Sequence, residues 1–245
     1  MSNTQLLPAS PEATVSLTRR KWAGASLLAA AVVSVAGAAL WPTGSDGTSA
    51  QELQAAAAHP AAWSAASTAD ALTWALLVPG ALAVFSYLRN RGRVLGTIGA
   101  MAVVAGALAT PFGTGGSAFV LVLAQHADRP TAVTVVDSVG SQPFFLPFLV
   151  LIYVGLIGLM LLMIGAARGG LVRWWVPVIA IVGVILNTVL NNDLYGAAAA
   201  ATFVLPAVAD VLLAIALLRS TRAVSPAAAP SSDRARRGDR TPVAA

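Results

Sequence analysis

Six apolar stretches of about twenty residues each run through this chain, joined by short connections rich in arginine. Twenty residues of helix, rising 1.5 Å each, match the roughly 30 Å hydrocarbon core of a bilayer. Inside that core every backbone amide must find its partner within the protein, which leaves helices or closed barrels. The runs are continuous rather than alternating over ten residues, so helices are expected. Composition agrees. Of 245 residues 57% are hydrophobic and 10% charged, whereas a soluble domain carries about 25% charged residues.

The expected spans are residues 22–41, 69–88, 94–116, 144–167, 174–191 and 197–218, giving an all-α polytopic bundle over 22–218. Residues 1–21, with Pro8 and Pro11 and no apolar period, read as a disordered tail, and the Pro/Ser/Ala/Arg-rich residues 219–245 as a second one. A cleaved signal peptide is the competing reading of the first span, since Ala36-Gly37-Ala38 resembles a cleavage site and Arg19-Arg20 a twin-arginine start. Both readings leave Pro42 outside. An Ala-rich piece around 54–58 is expected to lie helically along the outer surface, and 126–142 to form an external connection.

The third span has the least certain end. Apolar residues continue to about Ala124, but Thr110, Pro111, Gly113, Gly115 and Gly116 interrupt them. A continuous helix over 94–125 would be about 48 Å long, so a kink or break is expected there, with 117–125 at or above the outer interface.

Charge sets the orientation. Fourteen of the fifteen Lys and Arg residues fall on one side of this topology, and only Arg129 on the other. The positive-inside rule puts the richer side, with both termini, in the cytoplasm. Fourteen Arg against the single Lys21, with abundant Ala, Gly and Val, point to a high-G+C bacterium and so to its inner membrane. The basic excess sits at helix ends and in one tail, where it meets anionic headgroups. Nucleic acid is not an expected partner. The expected partners are the bilayer and a membrane protein or second copy.

Little in the chain can do chemistry. There is no cysteine, which removes thiol catalysis, disulfides and cysteine-ligated metals. His59 and His126 are the only histidines and both fall in external segments. A metal site with Asp128 is conceivable, but none is expected, and no cofactor. No histidine, lysine or carboxylate pair is buried within the spans, so an intramembrane enzyme lacks its parts.

One residue stands out. Asp210 lies well inside the sixth span, where a charge costs about 2.5–3.5 kcal/mol on insertion scales. It shares a helix face with Thr202 and Pro206, spaced by four residues. Pro206 cannot donate to the Thr202 carbonyl, which leaves an acceptor on that stripe. Asn187, Thr188 and Asn191 project near the outer end of the fifth span, where they could line a vestibule with Asp70. Asp210, Thr202, Asn187 and Asn191 are therefore the candidate substrate or proton path. The bland alternative is that all four only fix helix contacts.

Trp63, Pro79, the basic turn at 89–93, the Pro-Gly segment at 111–116 and a final helix with Pro206 and Asp210 together resemble uncharacterised bacterial multi-pass membrane proteins. The likeness covers most of residues 58–220. It implies a membrane helix bundle and carries no activity to any residue. The expected function is a non-enzymatic accessory or interaction component of the membrane. A small proton-coupled transporter using Asp210 is the alternative.

Overall fold

A computed structural model describes residues 11–42, 48–88, 92–190 and 197–220. Among them the chain is all-helical, with no strand. The elements are α1 (Pro11–Leu40), α2 (Ser49–Ala58), α3 (Pro60–Tyr87), α4 (Arg93–His126), α5 (Arg129–Gly140), α6 (Leu146–Arg168), α7 (Trp175–Leu190) and α8 (Ala197–Ser220), with a 3-10 turn at Pro143–Phe145 before α6. Among the described residues five helical stretches are long and apolar enough to cross a membrane: Lys21–Leu40, Pro60–Tyr87, Arg93–His126, Pro143–Arg168 and Ala200–Ser220. α7 is apolar but shorter, at 16 residues.

Those five helices and the shorter α7 pack in a closed order, α1–α3–α4–α6–α7–α8 and back to α1. One core runs through all six, from Leu27 and Trp74 to Val103, Leu162, Ala180 and Leu213. Neighbouring helices approach closely because small residues line their contacts. Gly99 of α4 faces the backbone of Gly158 and Leu162 on α6 so tightly that an added Cβ would lie 2.4 Å from the Leu162 nitrogen. The Trp74 ring of α3 fills a slot that needs glycine on both sides, at Gly106 and Gly155.

These contacts also gather the arginine-bearing helix ends. Gly92 abuts Gly165 and Gly169, Gly96 meets Leu88, and Gly24 meets Leu218. Arg19, Lys21, Arg93, Arg168, Arg173 and Arg219 therefore lie toward one end of the bundle, and Arg129 toward the other. The α6–α7 turn is fixed at the first end by Gly170, whose φ of 74° suits glycine. Its N–H donates to the Ala167 carbonyl at 3.0 Å and that of Leu171 to Ala166 at 2.9 Å, closing a Schellman cap.

Two expectations need correction. Residues 11–21 belong to α1 rather than to a disordered tail. Pro11 opens that helix, where its fixed φ and missing N–H cost nothing. The expected connection at 126–142 is itself largely helical, as α5. Asp128 caps it by accepting from the Thr131 N–H at 3.1 Å, and Pro130 sits in its first turn.

The second correction concerns the expected kink or break, of which the break is absent. α4 runs unbroken for 34 residues through Pro111. The hydroxyls of Thr110 and Thr114 each donate to a carbonyl four residues back, both at 3.2 Å, on either side of the proline. The length is absorbed by a cap. α2 and α5 pack over the ends of α3 and α4 opposite the basic pole, around Leu53, Ala56, Trp63, Val120 and Ala132. The indole Nε1 of Trp63 donates to the Ser117 carbonyl at 2.8 Å. Trp63 lies 24 residues before Tyr87 and Ser117 lies 24 after Arg93, so both stand about 36 Å from the basic end. Trp41 meets Trp63 edge-on, with ring centroids 5.2 Å apart. Arg129 ties α5 to α2 by donating to the Ala50 carbonyl and Gln54 Oε1, and the Ser49 hydroxyl donates to Asp137.

Candidate functional site

Asp210 occupies the middle of α8, ten residues from Ser220, so it lies about 15 Å from the basic end of that helix. Its side chain is buried, at 7% exposure, and Oδ1 has no hydrogen-bond partner among the described residues. Two pairs fix the register between α7 and α8. Asn187 Nδ2 donates to Thr202 Oγ1 at 3.0 Å. Four residues on, Gly183 lies against the Pro206 ring, where an added Cβ would come within 2.4 Å of Pro206 Cδ.

Continuing that antiparallel register by one more turn sets Asp210 level with Ile179 and Ala180. On the other flank, the Gly24–Leu218 contact between α1 and α8 sets it level with Ala31 and Val32. The neighbouring helices thus offer alanine and branched aliphatic residues at this depth, and Asp210 is flanked in sequence by the buried Ala209 and, three residues on, Leu213. An uncompensated carboxylate is expensive in such a place.

The structure joins two of the four predicted residues and separates the third. Asn187 and Thr202 form one interhelical clasp. Asp210 lies eight residues, or about 12 Å, along the helix from Thr202. Asn191, with Asn192, Asp193 and the side chain of Thr188, lies outside the described residues. Asp70 does not join the clasp. It lines a cavity of about 30 Å³ with Ser34, Thr73 and Phe203, and neither Asn187 nor Thr202 reaches it. That volume holds about one or two waters.

Among the described residues no group of three His, Asp or Glu side chains is placed to hold a metal. His59 stands at the α2–α3 junction and His126 ends α4, with Nδ1 3.1 Å from the Val122 carbonyl. At the α2–α5 cap, hydrogen bonds from Thr131, hydroxyl first and backbone N–H second, hold the Asp128 carboxyl below its ordinary range.

Sequence reasoning missed a different feature. α4 presents an apolar stripe to its surroundings at alternating four- and three-residue steps: Val94, Ile98, Met101, Ala105, Leu108, Phe112, Gly115, Phe119 and Val122. The signal is visible as a 3.5-residue period, but in a membrane segment it is masked by uniformly apolar neighbours. Comparison with known proteins gives no match to any family model, curated protein or solved structure.

Proposed function

We propose that this chain is a six-span protein of the bacterial inner membrane, with both termini in the cytoplasm, acting as a non-enzymatic accessory or interaction component. α7 serves as the sixth span. At about 24 Å it is short for the hydrocarbon, a mismatch that local thinning absorbs, and it completes the closed order of helices. The gathering of basic helix ends at one pole supports the orientation.

The observation that carries the interaction role is the outer end of the α4 stripe. Phe119 and Val122 lie 26 and 29 residues beyond Arg93, about 39 and 44 Å along the axis, past a hydrocarbon layer of about 30 Å. They are nevertheless 40% and 55% exposed. Lipid tails cover such a stripe within the core but not here. A 3.5-residue apolar period is the spacing by which helices pair, and Gly113 and Gly115 leave open space for a close approach.

A photo-cross-linking residue at Phe119 tests this reading. It should yield one discrete adduct in membranes, absent when the same probe sits at Thr134 and lost with Val122→Glu. A ladder of products, or none, refutes it. Orientation is read separately by placing single cysteines at Ser138 and Ser220 of this cysteine-free chain. An impermeant maleimide should label the first in intact cells and spare the second.

A proton-coupled carrier remains the second reading, favoured by the unpartnered Oδ1 of Asp210 at mid-membrane depth. Proton flux into proteoliposomes that is equal for the natural protein and Asp210→Asn removes it.

A further inference from the structure

At the basic end, the α6–α7 turn and the last two turns of α8 enclose a cleft of about 470 Å³. Arg173, Trp175 and Val176 form one wall, and Leu212, Ile215 and Arg219 the other. No acidic residue lies between Asp137 and Asp193 or between Asp210 and Asp233. The elements that build this cleft therefore carry two guanidinium groups and no carboxylate near its mouth. α7 begins here as well, so the positive end of its dipole faces the same space. Trp174, at 75% exposure, and Trp175 suit the headgroup level of a bilayer.

We propose that this cleft binds the headgroup phosphate of an anionic phospholipid, with an acyl chain lying along Leu212 and Ile215. The proposal rests on the bilayer reading above. Guanidinium groups match phosphate oxygens in bidentate geometry. The Trp175 ring and the aliphatic wall suit the ester and chain region, and a basic site between helices on the cytoplasmic side is where such lipids are held. The volume falls within the usual range for a small-molecule site.

The test uses the full chain in mild detergent, titrated with phosphatidylglycerol or phosphatidylcholine and read by native mass spectrometry. One phosphatidylglycerol should be retained in preference to phosphatidylcholine. Arg173→Gln with Arg219→Gln should weaken that binding about thirtyfold, about fivefold for each charge, while Arg173→Lys with Arg219→Lys should retain most of it. Arg93→Gln with Arg168→Gln, the same charge change at the same end but outside the cleft, should leave it within about twofold. Equal loss in both glutamine pairs overturns the proposal, as does no preference between the lipids. Displacement of the lipid by millimolar inorganic phosphate would assign the cleft to the free ion and overturn it too. A failed orientation experiment with intact detergent binding would sink the bilayer topology while leaving the cleft standing.

Discussion

Asn187 and Thr202 join α7 to α8 by one side-chain hydrogen bond of 3.0 Å, one helical turn from the place where Gly183 receives the Pro206 ring. The polar bond and the close apolar contact fix the same interface. Interhelical hydrogen bonds in membranes average about 0.6 kcal/mol and reach about 1.7. Asn187→Leu and Thr202→Val should each destabilise the detergent-solubilised protein. Their double-mutant cycle should give a coupling of about 0.5–1.5 kcal/mol in denaturant unfolding. A coupling near zero would show that the clasp holds nothing.

The glycines give a sharper contrast. A side chain at Gly99 meets the α6 backbone, and Gly99→Val should cost at least the 1–3 kcal/mol typical of overpacking, because backbone cannot step aside. Gly115 lies in the same helix with open space around its Cβ position. Gly115→Ala should therefore stabilise the isolated protein by about 0.4–1 kcal/mol through a less flexible unfolded chain. Thermal unfolding of both variants decides it. Similar shifts of one sign would mean that α4 and α6 do not meet as described.

Trp63 reports on the α2–α5 cap. Trp63→Phe keeps most of the ring among Leu53, Val120 and Ala132 but removes the donor to the part-buried Ser117 carbonyl, which keeps its place in the α4 ladder, a net loss of about 0.5–1.5 kcal/mol. Amides of α2 and α5 should exchange faster while those of the six-helix core stay protected. Uniform acceleration would show that the cap and the bundle open together.

How much of this was legible in the residues varies with the physics involved. Five long apolar helices were, because a twenty-residue apolar run has few other uses. The cap was only half visible: α2 was expected as a surface helix, whereas Asp128 and Pro130 signalled the start of α5 within a segment too polar to read as a span. The continuity of α4 was hidden, since proline with three glycines normally ends a helix, and only neighbours can say whether the lost bond is repaired. Which glycine faces which is a tertiary fact that spacing does not name. Asp210 was legible as an oddity, but its distance from the Asn187–Thr202 clasp required the register.

Asp128 gives the cap a pH dependence. Its carboxyl is held below the ordinary range by Thr131, so the ionised form is the one the fold favours. The stabilisation is complete above the ordinary aspartate value and is lost as pH falls through the lower folded value. Exchange of the first-turn amides of α5 should quicken on acidification over that window, beyond the intrinsic trend. Asp128→Asn keeps a capping side chain without a titrating group, and should flatten the response. An unchanged profile in the variant would place the acid sensitivity elsewhere.

Asp210 admits the most direct test of whether its burial is tolerated or used. A buried polar atom left without a partner costs about 1–3 kcal/mol, and an apolar replacement of similar size recovers that cost. Oδ1 is such an atom, in a part of α8 whose level neighbours are aliphatic. Asp210→Val should therefore raise the unfolding free energy by about 1–3 kcal/mol, and Asp210→Asn should change it less, because an amide is still buried. Denaturant unfolding of the two variants beside the natural chain measures both. A loss of stability in the valine variant would mean that the carboxyl is bound after all, and the carrier reading would then lose the observation that favours it.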